Sequence, residues 1–120
     1  MNLLSETTDF FERNKLTADD IMFIGSRESG YRCSWGEFQR LADVEYDSGF
    51  GAQEVASDLE IIFRDGGVMW RLEYDGSEGW EYRAPFTEPA ESKPITRLTV
   101  AGTERTGWVD LRELHEKPNY

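Results

Sequence analysis

Residues 58–84 read DLEIIFRDGGVMWRLEYDGSEGWEYRA, and the fold turns on how this stretch divides into strands. Its apolar residues alternate and its breaks carry turn chemistry, which predicts a three-stranded antiparallel meander. Asp65-Gly66 can supply the positive φ angles of a two-residue hairpin turn, setting Phe63 opposite Val68, Ile61 opposite Trp70 and Leu59 opposite Leu72. At the second break two registers compete. A two-residue loop at Asp75-Gly76 sets Trp70 opposite Glu81, whereas a longer loop sets Leu72 opposite Trp80 and Trp70 opposite Tyr82. A one-residue slip turns every side chain to the other face, so gathering the large apolar residues on one face selects the longer loop. The expected core face is then Leu59, Ile61, Phe63, Val68, Trp70, Leu72, Trp80 and Tyr82. Glu60, Arg71 and Glu81 form a row of alternating charge on the outside, and Trp70 is expected to be buried.

Upstream, Ser34-Trp35-Gly36-Glu37 has the capping-box pattern, and Trp35, Phe38, Leu41 and Ala42 fall on one stripe of a helix expected over residues 34–44. That stripe is the natural cover for the meander. Nearer the start, Leu3, Leu4, Thr7, Phe10 and Phe11 repeat at helical spacing and predict a short helix ending near Asn14. A helical turn at residues 17–20, a strand at residues 21–24 and a second short strand at residues 31–33 follow. Downstream, Pro85, Pro89 and Pro94 bracket a polar connector. ITRLTV at residues 95–100 predicts a further strand, and Trp108, Leu111 and Leu114 predict the inward stripe of a closing helix. Residues 1–120 thus read as a single α+β domain, an antiparallel β-sheet with the meander at its centre, covered by an amphipathic helix, with short N- and C-terminal helices.

The chain carries 24 acids against 13 bases, a net charge of −11. The surplus is concentrated: residues 43–81 hold eleven acids and two bases, while residues 1–42 hold seven and five and residues 82–120 six of each. Such a field repels phosphates and anionic membrane surfaces, so neither direct nucleic-acid binding nor a membrane partner is expected, and a basic protein surface is. No apolar run approaches the ~20 residues of a membrane-spanning helix. The opening MNLLSETTDFFERNK lacks the basic leader and apolar core of a secretory signal. Cys33, the only cysteine, permits no internal disulfide, and a cytoplasmic setting is expected.

Catalytic chemistry finds little support. The single histidine, His115, stands in no recognisable constellation with Cys33 or a serine, and no phosphate-cradling loop, cofactor motif or zinc ligand set is present. Asp43, Glu45, Asp47 and Glu54 occupy the first, third, fifth and twelfth places of a calcium-loop pattern, but Ser48 stands where the sharp turn calls for glycine. No metal is therefore expected. Acids are so plentiful that paired carboxylates carry almost no signal. What remains is recognition. Asp43, Glu45, Tyr46, Asp47, Phe50 and Glu54 combine charge with aromatic residues in one loop and are the expected partner-binding residues, with Tyr31 and Tyr74 as further aromatics beside turns.

The runs CSWGEF (residues 33–38), YDSGFGAQEVASDL (46–59) and YDGSEGWEY (74–82), with ITRLTV after them, resemble a group of small acidic proteins encoded by bacteriophages of actinobacteria. The resemblance covers about residues 18–115. It implies a phage protein acting in the host cytoplasm, and it brings no catalytic residues because no activity is established for the group. The resulting expectation is a non-enzymatic acidic binding protein, a phage accessory protein that engages a basic host protein surface as a nucleic-acid charge mimic or inhibitor. Two alternatives stand beside it: a small carboxylate- or metal-dependent hydrolase using residues 43–54, and an immunity or antitoxin-like protein.

Overall fold

In a computed structural model, which describes residues 1–49, 52–107 and 109–116, Asp75 and Gly76 take φ angles of 53° and 84°. These are the left-handed pair of a two-residue hairpin. They join β4 (Val68–Tyr74) to β5 (Ser77–Arg83) with Tyr74 opposite Ser77, Trp70 opposite Glu81 and Arg71 opposite Trp80. The longer loop expected from the apolar pattern is overturned. The first hairpin also differs by one residue. Between β3 (Glu60–Phe63) and β4, Ile61 pairs with Met69 and Ile62 with Val68. The loop there has three residues: the Gly66 amide donates to the Phe63 carbonyl at 2.9 Å, the Phe63 amide donates to Gly67 at 2.8 Å, and Gly66 takes φ 96°. This is a turn followed by a left-handed glycine, the usual three-residue hairpin solution.

Both corrections move the same side chains. Trp70, expected in the core, is half-buried on the outer face with Val68 and the exposed Leu72, while Met69 and Arg71 face inward. The alternating outer row of Glu60, Arg71 and Glu81 does not form, because Arg71 has left it. Trp70 takes its place between the two glutamates.

Met1–Phe86 and Thr87–Tyr120 form two separate units. In the first, the all-antiparallel sheet has the order β2-β1-β3-β4-β5, where β1 is Ile21–Gly25 and β2 is Arg32–Cys33. Gly25 is required where β1 turns toward β2, since its φ is 150° and a Cβ there would sit 2.0 Å from the Tyr31 carbonyl oxygen. One sheet face is covered by α1 (Leu3–Arg13) and α2 (Trp35–Leu41). The expected capping box of α2 is present: the Ser34 hydroxyl accepts from the Glu37 amide and the Glu37 carboxylate accepts from the Ser34 amide. The helix is shorter than the expected 34–44, and Leu41, expected on the inward stripe, is 59% exposed. Residues 42–46 leave the helix to run antiparallel to the N-terminus. The Leu4 amide donates to Ala42, the Leu3 amide to Val44, and the Tyr46 amide to Met1.

Under these helices lies an aromatic chain of contacts. Phe38 stacks on Trp35 at 5.5 Å, Trp35 on Phe11 at 5.3 Å, and Phe11 meets the edge of Phe63 at 5.8 Å. Ile24, Ile61 and Met69, all fully enclosed, fill the sheet beneath.

In the second unit α3 (Leu111–Glu116) forms at the expected place, with the Asp110 carboxylate accepting from the Glu113 amide. Trp108, expected on its inward stripe, lies outside the described residues. Residues 95–100 form no strand, contrary to the alternation of ITRLTV, and Ile95 and Leu98 are exposed. Their backbone is instead held by His115, whose Nε2 accepts from the Thr96 amide at 2.9 Å while Nδ1 lies 2.7 Å from the Leu111 carbonyl oxygen. A neutral imidazole protonated on Nδ1 satisfies both contacts. Among the described residues no helix is long and apolar enough to cross a membrane.

Candidate functional site

Of the expected binding residues, Asp43, Glu45, Tyr46, Asp47 and Glu54 are described, and the segment around them is tied to the start of β5 and to a buried arginine. Because β4 presents Arg71 inward, its guanidinium enters the core beneath α1 with a side chain that is 0% exposed. A charge so placed needs partners. Nη1 donates to Glu6 of α1 at 3.3 Å, and Nη2 donates to the Tyr46 hydroxyl at 3.0 Å and to Glu78 of β5 at 3.2 Å. The guanidinium also lies 4.9 Å from the Trp80 ring centre and 5.6 Å from that of Tyr46. Burial disfavours the Arg71 charge, but the Tyr46 hydrogen bond and the Glu6 carboxylate outweigh it and raise its pKa. Nε has no hydrogen-bond partner among the described residues.

Tyr46 is among the residues that the sequence names for partner binding. Its side chain turns in, donating its hydroxyl proton to Glu6 while accepting from Arg71. Its pKa is pushed up to about 12, by burial first and then by the bond to Glu6, against the opposing pull of Arg71. The neutral phenol is thus part of the support. Glu78 extends the same support, one oxygen binding Arg71 and the other accepting from the Glu54 amide at 2.8 Å, while its own amide donates to Ser48 at 2.9 Å. Two ends of the loop are thereby pinned to the start of β5.

The acids of the loop stay at the surface. Asp43 accepts from the Asn2 side chain, Glu45 pairs with the N-terminal amine at 3.1 Å, and Asp47 accepts from the Gly49 amide. Glu54 accepts from the Asp47 amide at 2.9 Å. All four are exposed, whereas Phe50 lies outside the described residues. Among the described residues no three metal-ligating side chains converge. Tyr31 and Tyr74, the other aromatics named from the sequence, are 83% and 81% exposed at their hairpins.

Beside the loop opens a cleft of about 430 Å³, lined by Leu3, Phe38, Val44, Val55 and Leu59 with Glu45 and Glu54 at its rim. Cys33 also borders it, and burial, then the Glu37 carboxylate, push its thiol pKa up, away from the reactive thiolate.

Reading the sequence for function missed Arg71, Glu6 and Glu78. The signal was present in the Asp75-Gly76 turn: the two-residue loop alone places Arg71 opposite Trp80, on the inward face. Comparison with protein-family models, with curated proteins and with solved structures gave no match, so the reading of this site rests on its own geometry.

Proposed function

We propose that the chain is a non-enzymatic acidic binding protein, a phage accessory protein that engages a basic surface of a host protein. The observation that carries this reading is the cleft beside the 42–54 segment, an apolar slot with carboxylates on its rim. A lysine or arginine side chain suits such a slot, its aliphatic stem against Val44 and Val55 and its charge at Glu45 or Glu54. The unit that bears it holds 18 acids against eight bases, and because Arg71 is buried together with Glu78 the surface keeps the whole excess of acid. Electrostatic attraction of this kind acts mainly on the rate of encounter.

The test is capture of partners from an actinobacterial lysate, followed by association kinetics at rising salt. Association that slows steeply once the screening length falls to ~10 Å near 0.1 M supports the reading. Binding indifferent to salt, and to replacement of Asp43, Glu45 and Asp47 by their amides, sinks it. An immunity or antitoxin-like protein would present the same surface to a basic toxin. The identity of the captured partner separates the two.

A further inference from the structure

The β5 edge of the sheet is open beyond the point where the loop covers it. The two-residue hairpin makes Tyr74–Ser77, Leu72–Gly79, Trp70–Glu81 and Val68–Arg83 the hydrogen-bonded pairs, since bonded and non-bonded pairs alternate along an antiparallel ladder. Glu78, Trp80 and Tyr82 must therefore point their backbone N–H and C=O groups away from β4. The Glu78 amide confirms the direction, because it donates outward to Ser48. Among the described residues no further backbone bond reaches Trp80 or Tyr82, so four main-chain groups in a row face a free edge.

That edge borders a groove of about 500 Å³ whose other wall is α1. Glu6, Phe10, Arg13 and Asn14 face Trp80 and Tyr82 across it. A strand edge beside a helix, with a groove between them, is the geometry by which extended peptides add to sheets, main-chain bonds giving affinity and the flanking wall selecting side chains. We propose that the β5 edge at Trp80 and Tyr82 is a strand-addition site for an extended, basic segment of the partner. This rests on the basic-partner reading and gives the partner its form. The length is set by the edge: Ser48 occupies the place beside Glu78 and Pro85, without an amide, follows the strand, which leaves room for a short strand only. The charge follows from the unit's 18 acids against eight bases, and at the groove itself Glu6 and Glu81 stand against the single base Arg13. The same charge disfavours a second copy of the chain, which would bring −11 against −11.

The test uses the full chain and three blocked hexapeptides: alternating lysine and valine, the same peptide N-methylated on the backbone positions of one edge, and alternating glutamate and valine. Amide hydrogen exchange is followed residue by residue. The proposal expects the lysine peptide to slow exchange at Trp80 and Tyr82 by about tenfold or more at saturation, and the other two to leave it unchanged. Equal binding by the N-methylated peptide, without slowing at these amides, overturns strand addition and leaves the basic-partner reading intact. Slowing by the lysine and glutamate peptides alike upholds the edge as a strand-addition site and overturns its preference for basic segments. Slowing that grows with protein concentration alone, with a dimer in sedimentation, assigns the edge to a second copy and overturns the proposal.

Discussion

The two ends of the core are built on the same sheet face and under the same helix, yet they use opposite chemistry. At one end Phe11, Trp35, Phe38, Phe63, Ile24, Ile61 and Met69 exclude water by shape alone. At the other, Arg71, Glu6, Tyr46 and Glu78 bury charge, with the Trp80 indole donating to Thr7 and the Thr7 hydroxyl donating to Leu3. Apolar packing is tolerant of where a surface loop goes. A guanidinium with directed bonds to α1, β5 and the 42–54 segment is not, and it ties the position of the acidic loop to that of the sheet. The dry end supplies stability, and the polar end converts part of it into a defined surface.

The largest effects should test this division. Phe63→Ala and Arg71→Ala are each expected to cost about 3–5 kcal/mol in chemical denaturation, the first through a cavity and the second by leaving Glu6 and Glu78 without their cation. They differ in rescue. Adding Glu6→Gln and Glu78→Gln to Arg71→Met should recover much of the loss, because the uncompensated charges go with it, and no such partner change exists for Phe63→Ala. An Arg71→Ala variant within about 1 kcal/mol of the parent would show that the polar end contributes nothing beyond its packing.

The Tyr46 phenol gives the same comparison in pH. Its folded pKa of about 12 lies above the ordinary tyrosine value of 10, so the folded state holds the proton more tightly than the unfolded state. The associated stability is complete below pH 10 and is lost as pH rises through 12. The difference between the parent and Tyr46→Phe, measured by urea unfolding across that window, isolates this term. A flat difference would break the assignment of Tyr46 to the network.

Most elements were legible in the sequence, and the reason the register was not is instructive. Capping at Ser34, the helical stripe from Leu3 to Phe11 and the apolar strands all announce themselves locally. The strands EIIF and VMWRL, however, carry apolar residues on both faces, so gathering them on one face pulls the register one residue away from the answer that the Asp75-Gly76 turn already held. Both expected hairpins slipped by that one residue, and with them the buried arginine was lost from view. At the second hairpin turn chemistry outranks hydrophobic count, whereas at the first the two-residue turn expected at Asp65-Gly66 gives way to a three-residue loop. Trp70 measures the consequence. Half-buried on the outer face with the Arg83 guanidinium 5.6 Å from its ring centre, it should lose about 1–2 kcal/mol on truncation to alanine, rather than the 3–5 of a core tryptophan. A loss of the larger size would restore the register expected from the apolar pattern.

The smallest expected effect on the fold is the most informative about the surface. Replacing Asp43, Glu45 and Asp47 by asparagine, glutamine and asparagine keeps every side-chain oxygen that accepts a hydrogen bond from Asn2 or the Gly49 amide. Only charge is removed, including the attraction between Glu45 and the N-terminal amine, an exposed pair of the kind that contributes little. The triple variant should therefore unfold within about 0.5 kcal/mol of the parent. Its association with a captured basic partner should nevertheless slow, and the salt dependence of that rate should flatten, while dissociation changes little. The contrast with Arg71→Ala is then complete: one change unfolds the support and takes the surface with it, the other leaves the support standing and silences the surface. Should the triple variant instead unfold more easily by several kcal/mol, the loop acids belong to the structure of the polar end, and the binding surface must be sought on other residues.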